Sequence, residues 1–465
     1  MKTGQTSGTI EHHWLVMASM MIGAFVGMLS ETSLNIALPQ LMQAFQIPAA
    51  SVQWLVTGYM LVIGIILPFS SLLTKWFSTR QLVIFGLVDF IVGAVIAALA
   101  PNFVILLLGR MIQGLGTGIV LPLMFTVAML IFPPQKLGTA MGVCALVIML
   151  APAIGPTLTG IILGKLSWNW VFWLFVPFLV LALILALLYL PNVGQITKPH
   201  VDVISLLESI LGFGCLVMGV SFAAEWGWSS PLVLALILGG VIILGFYGYR
   251  QIHLENPIIN LRLFSKRDFT VGALCVMLDF AIILSAMYLL PQYLQRGLLL
   301  PVAFTGMIML PGGIVNALVS ALSGRLFDEL GARKPVIAGF LIAIGGIVLL
   351  LLSQSHSTVG YIITAHVVLM IGCPLAMSPA QTHALNSLKG LESADGSTIL
   401  NTLQQIIGAV ATALATSFLS WGQAAYQGTN HAARFVNGVH FGLYFTLALA
   451  VLGLVLGWLI KPQRR

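Results

Sequence analysis

Long apolar stretches broken by short polar connectors run the whole length of this chain. About fourteen can be drawn, at roughly 14–38, 52–73, 82–100, 103–130, 138–163, 169–190, 204–223, 232–248, 270–292, 302–323, 335–353, 358–380, 397–421 and 438–460. As helices rising ~1.5 Å per residue, each is long enough to cross ~30 Å of hydrocarbon. The short alternating segments of a membrane β-barrel are absent. The pattern therefore predicts an all-α polytopic membrane protein with about 14 transmembrane helices. Its first apolar stretch is too long for a signal-peptide core and is expected to remain as a span.

Composition agrees with this. Hydrophobic residues fill 59% of the 465 positions and charged residues only 7%, too little charge to cover a soluble surface. Cys144, Cys215, Cys275 and Cys373 sit far apart inside apolar stretches. They offer neither a disulfide framework nor a metal-ligand spacing and read as packing residues. The net charge of +7 suggests nucleic acid until the charges are located. With the N-terminus in the cytoplasm, 16 of the 20 Lys and Arg fall on the cytoplasmic side, Lys2, Lys75, Lys198, Lys389, Arg464 and Arg465 among them. Lys165, Arg296 and Arg434 fall outside, and Arg110 alone lies within a span. This asymmetry predicts a multi-pass protein of the cell (cytoplasmic) membrane with both termini inside, and no nucleic-acid partner.

No connector is long enough for an extramembrane domain. The longest cytoplasmic one, "YRQIHLENPIINLRLFSKRDF" (249–269), is amphipathic enough to lie at the interface. "SSLLTKWFSTRQLVIFG" (70–86) and "LSGRLFDELGARKPVIAG" (322–339) form a weak internal repeat, each following the second helix of its set. The expected organisation is six plus two plus six. Residues 1–190 form an N-terminal six-helix bundle, 191–269 two inserted helices and a linker, and 270–465 a C-terminal six-helix bundle. A substrate site belongs at the interface of such halves.

Several segments resemble the major facilitator superfamily, and more narrowly its 14-span drug:proton antiporters of the lincomycin-resistance type. The loop motif G-x-L-x-D-x-x-G-x-R-K is matched by Gly324, Leu326, Asp328, Gly331, Arg333 and Lys334. Glycine there permits tight turns and close helix approach, and the Asp can latch onto a helix N-terminus or the basic pair. The first copy departs, with Ser71, Lys75 and Ser78 where Gly, Asp and Gly are usual, although Leu73 and Arg80 remain. "LGRMIQGLGTG" (108–118) is similar to the family's Arg-x-x-Gln-Gly segment, and "GVCALVIMLAPAIGPTLTG" (142–160) to its antiporter motif. The latter supplies Gly142, Gly155, Pro156 and Gly160, with Ala151 and Thr159 at the two substituted positions. That motif implies export rather than import. "WNWVFWLFVP" (168–177) has Asn169 where the family usually has Arg, which removes an ion pair. "DVISLLESILGFG" (202–214) and "GWSSPLV" (227–233) are similar to the inserted helices of the lincomycin-resistance branch.

Glu31 is the sharpest candidate. Ser19, Gly23, Gly27, Glu31 and Asn35 recur every four residues, a slowly drifting helix face whose small residues admit another backbone. Burial favours the neutral form of a carboxyl group, so such a group can trade its proton for a bound cation. The resemblance implies proton and cationic-drug binding at this position; the bland alternative is a neutral hydrogen-bonded Glu. Asp89 in the third helix reads as a second proton site, as the partner of Arg110, or as an ion pair that only orders the fold. Arg110 needs something to balance its charge, and the resemblance implies proton coupling for it; Gln113, in the same segment, joins the substrate-binding candidates. Asp279 occupies in the second half the place that Glu31 has in the first, suiting substrate or a second proton. Asn35, Gln405 of the polar "NTLQQIIGA" face (401–409), and Trp54 and Tyr59, able to stack on a lipophilic cation, complete the substrate-binding set. His366 reads as a hydrogen-bonded interior histidine. His12 and His13 at the first membrane boundary have no metal constellation beside them, and Glu208 and Glu225 are expected near helix ends.

No phosphate-binding loop or catalytic domain is present in the sequence. The expected function is proton-coupled multidrug efflux, exporting lipophilic or cationic drugs by alternating access. It needs no cofactor beyond a proton gradient and acts in the bilayer as a monomer, the family norm. The chain is not expected to be an enzyme. Export of a specific endogenous metabolite or signal, and a non-transporting membrane sensor or scaffold, stand as alternatives.

Overall fold

The computed structural model describes residues 13–132, 134–192, 196, 202–254, 257–388 and 391–461. Lys2, His12, Lys198, Lys389, Arg464 and Arg465 therefore lie outside the described residues. The helices of the first half are α1 (His13–Phe45), α2 (Ala49–Val52), α3 (Trp54–Trp76), α4 (Thr79–Ala98), α5 (Phe103–Ile131), α6 (Pro134–Lys165) and α7 (Asn169–Tyr189). Then come α8 (Val203–Trp226) and α9 (Pro231–His253), followed by α10 (Arg267–Gln292) and α11 (Val302–Leu330). The chain closes with α12 (Arg333–Leu351), α13 (Val359–Asn386), α14 (Leu391–Ala425) and α15 (His431–Leu459). Among the described residues, 13 helical segments are long and apolar enough to cross a bilayer. The 32 residues of α6 are long enough as well. Several helices overshoot the apolar stretches: α1 and α14 run to 33 and 35 residues. Backbone hydrogen bonding continues where hydropathy stops.

Two groups of helices result. In one, α1 packs on α5, α6 and α7, while α4 packs on α5 and α7, and α3 on α5. In the other, α10 packs on α13, α14 and α15, and α12 on α13 and α15. The equivalent pairs α4–α5 and α12–α13 are both joined through glycine. A Cβ on Gly93 would lie 2.7 Å from the Gly109 carbonyl, and one on Gly339 2.7 Å from that of Gly372. Small residues let membrane helices meet backbone to backbone.

The groups touch along two seams, α6 against α11 and α3 against α14. The α8–α9 pair lies on the second seam, with α8 against both α3 and α14. Its base is fixed by Arg250, which donates to both carboxylate oxygens of Asp202 at 2.8 and 2.9 Å. Gln251 donates to Ser205 and accepts from the backbone N–H groups of Ile258 and Ile259. The following connector therefore leaves α9 in a defined direction, through a 3-10 turn at Leu261–Ser265, before α10 begins. The face where α1 begins and α15 ends is called here the terminal face, and the other the opposite face.

Candidate functional site

A cavity of about 320 Å³ lies between the two groups. Its walls come from the middle of α1, the latter part of α3, the first part of α14 and the latter part of α13. That places it toward the terminal face. Met28, Glu31 and Thr32 of α1 line it, with apolar side chains from α3, α5 and α6 such as Ile63, Leu121 and Ile148. Across from them stand Phe280 and Met287 of α10, Asn316 of α11, Gln381 of α13, and Asn401, Gln404 and Gln405 of α14. Among the described lining residues Glu31 carries the only charged side chain.

Glu31 is only 2% exposed. Gln405 presents its side chain to the carboxyl group from the other helix group, while Glu31 Oε2 has no hydrogen-bond partner. The rest of the small-residue stripe turns inward, with Gly23 against Leu87 and Val120 and Gly27 against Thr117. Asn35 is buried with an unpartnered Oδ1, outside the cavity wall.

Directly behind Glu31, Arg110 is completely buried. It donates to Ser30 Oγ and to Gln113 Oε1 (2.7 Å), and to the carbonyls of Leu55 (3.1 Å) and Ser30 (3.3 Å). Its guanidinium also lies over the Tyr59 ring. Tyr59 in turn donates to the Gly27 carbonyl at 2.9 Å and sits 2.8 Å from Thr117 Oγ1. The cation is thus held by neutral acceptors and one aromatic face, and none of the three ion pairs among the described residues includes it. Asp89, offered above as its partner, is half-buried on α4 against Gly116 of α5 instead.

Other sequence candidates also fall outside the cavity wall. The Tyr59 ring is occupied by Arg110, Trp54 packs on Phe222 of α8 with ring centroids 5.5 Å apart, and Gln113 is consumed in holding Arg110. Asp279 is completely buried, with Cys373 of α13 as its polar neighbour. His366 packs on Gly312 of α11, and its Nδ1 has no partner rather than the expected hydrogen bond.

Toward the opposite face the groups are sealed together. Gln295 Nε2 donates to the Ile36 carbonyl and Arg296 Nη2 to the Pro39 carbonyl, each at 3.0 Å. Both side chains come from a π-helical turn, Tyr293–Gly297, that ends α10. On the α6–α11 seam Thr157 Oγ1 donates to the Gly306 carbonyl at 2.9 Å. Gly160 meets α11 so closely that a Cβ there would lie 3.1 Å from both the Val302 oxygen and Gly306 Cα. Gly155 is pressed against Thr32 and the Leu29 carbonyl of α1. The segment therefore clamps α6 between α1 and α11, with Pro156 and Thr159 buried in it and Gly142 a few turns earlier in the same helix.

Around the terminal face, Gly331 ends α11 at φ +70°, a conformation that favours glycine. Arg333 lies 5.3 Å over the Trp458 ring and Lys334 is exposed; Gly324 lies exposed on α11. The Asp328 side chain lies outside the described residues, as do those of Ser71 and Lys75. At the first loop, Ser78 stands where glycine is usual and forms a capping box with Gln81 at the start of α4. Arg80 donates to the Leu187 carbonyl at 2.6 Å. Asn169 ties the start of α7 to the Ala98 carbonyl at 2.7 Å, replacing the missing ion pair with a neutral bond.

The sequence reading missed Asn316, Gln381, Asn401 and Gln404 as lining residues. A signal existed only for the α14 pair, which shares the polar face read around Gln405.

The Major Facilitator Superfamily model matches residues 20–412. "Lincomycin resistance protein LmrB" of Listeria monocytogenes is 44% identical over 456 residues, covering 97% of each chain. The protein of that name from Bacillus subtilis is 46% identical over 458 residues, 96% of this chain and 95% of the relative. In structure, the chain is similar to a POT family transporter crystallised with 5-aminolevulinic acid, at TM-score 0.70, 16% identity and 96% coverage of each chain.

Proposed function

Since this chain belongs to the major facilitator superfamily, we propose that it exports lipophilic or cationic drugs in exchange for protons. One observation carries the reading: Glu31 supplies the one carboxyl group among the described residues of the cavity wall. Such a group accepts a proton when exposed on one side and releases it when a cation binds on the other, so the two ligands compete for one site. The names of the LmrB relatives support a drug as substrate, and the resemblance of residues 142–160 to the antiporter motif supports export.

In this reading the protein sits in the cytoplasmic membrane with both termini inside. The cavity then lies on the cytoplasmic side and the seal on the outer side. Residues 1–190 and 270–465 rock as two bodies, with 191–269 between them. The protein works as a monomer without a cofactor. Each proton moved through 100 mV supplies ~2.3 kcal/mol, before any pH difference is counted.

The test is proton-driven transport of tetraphenylphosphonium in proteoliposomes, comparing native protein with Glu31→Gln. Native transport that follows the imposed gradient and disappears in the variant supports the reading. Undiminished gradient-driven transport by the variant removes Glu31 from the coupling path.

A further inference from the structure

The two walls of the cavity differ in chemistry. The α1, α3, α5 and α6 wall is apolar apart from Glu31 and Thr32. The facing wall carries five carboxamides, Asn316, Gln381, Asn401, Gln404 and Gln405, drawn from three separate helices. Gln404 and Gln405 are each only 7% exposed, yet Gln404 Nε2 and Gln405 Oε1 have no hydrogen-bond partner. A buried amide left unpaired costs about 1–3 kcal/mol. One such donor and one such acceptor, side by side on a cavity wall, are therefore poised for a ligand that supplies an acceptor and a donor, with Asn316, Gln381 and Asn401 beside them. Asn401, Gln404 and Gln405 are spaced i, i+3, i+4 and so share one face of α14.

We infer that this carboxamide wall is a subsite for the hydroxyl or amide substituents of an amphipathic amine, whose cationic nitrogen is held by Glu31 opposite. The inference rests on the export reading above and specifies the substrate within it. A carboxamide offers a donor and an acceptor side by side, which matches vicinal hydroxyls or an amide. It favours ligands that carry those groups, because a ligand lacking them binds but leaves the buried amides unpaired. Met287, Met370 and Met377 line the same wall, Asn316 Nδ2 lying 3.7 Å from Met370 Sδ, and give the ligand's apolar part an adaptable surface. A carboxylate substrate is disfavoured: the described lining residues offer it no cation, and an ionised Glu31 repels it.

The experiment compares two probes in proteoliposomes. Tetraphenylphosphonium has charge and apolar surface but no hydrogen-bonding group. N-nonyl-deoxynojirimycin has a protonatable nitrogen, several hydroxyls and an alkyl tail. Transport of each is measured for native protein, Asn401→Leu, Gln404→Leu and the double variant. The single changes keep the comparison readable if the double variant folds poorly. The expected result is a fall of about tenfold in the kcat/KM ratio of iminosugar to phosphonium in the double variant, and a smaller fall in each single one. An unchanged ratio overturns the subsite, as does native protein that carries phosphonium but not iminosugar. Native protein that carries neither fails the export reading itself.

Discussion

The guanidinium of Arg110 on α5 lies 4.0 Å from the centre of the Tyr59 ring on α3. Three helices meet at this stack, because the same guanidinium also reaches α1 through Ser30 and α3 through Leu55. Arg110→Ala is expected to strip these buried acceptors of their donor and destabilise the protein by at least about 2 kcal/mol. Arg110→Lys recovers only part of this, since an ammonium lacks the planar fork that spans both helices. Thermal midpoints in detergent check both variants. Glu31→Gln breaks no direct ion pair but removes a carboxyl group that Arg110 feels electrostatically, so its effect on the midpoint is expected to be smaller than that of Arg110→Ala.

The seal at the opposite face hangs on few polar contacts. Arg296→Ala removes one charge-assisted bond to the Pro39 carbonyl and the cation over the Phe435 ring at 5.3 Å. A bond of that kind contributes about 1.5–3 kcal/mol, so the population open at the opposite face should rise at least tenfold. Spin labels at Leu99 and Leu352, exposed near the ends of α4 and α12, report it as a longer distance. An unchanged distance distribution means that the Gln295–Ile36 bond and the α6–α11 seam hold the seal without Arg296.

Gly160 tests the α6–α11 seam. A methyl group there meets backbone atoms of α11 at 3.1 Å, and backbone cannot swing aside as a side chain can. Gly160→Ala should weaken transport and Gly160→Val abolish it, with passive proton leak increased as α6 and α11 separate. A pH-sensitive dye inside the vesicles reads the leak.

Much of this architecture was legible in the sequence because hydrophobic length is a direct consequence of the bilayer. Glu31 was legible because a carboxyl group in an apolar span is costly. The carboxamides were not: Asn316 is a lone amide among apolar neighbours and Gln381 one of several polar residues at the end of α13, and in either setting one that lines a cavity looks the same as one that packs. Aromatic partners were equally hidden. Tyr59 was expected to stack on a cation and does, but on Arg110 of its own chain. Trp54 faces the inserted α8, and only the packing of helices distant in sequence decides that.

Asp202 gives a pH prediction outside the spans. The hydrogen bonds from Arg250 hold its carboxyl down to about 2, from an ordinary 3.8. Its contribution to stability is therefore present above pH ~4 and lost as pH falls toward 2. Asp202→Asn should exchange amide hydrogens faster at the α8–α9 base at neutral pH. The gap between variant and native stability should close below pH ~2. A gap that persists there would place the effect elsewhere than in the carboxylate.

Competition between proton and cation at Glu31 is the centre of this account, and substrate-induced proton release measures it directly. Purified protein in weakly buffered detergent is titrated with tetraphenylphosphonium while pH is followed with an indicator dye. Proton release that saturates with binding is expected in native protein and none in Glu31→Gln. Equal release from both proteins, or binding without release in the native one, would contradict it.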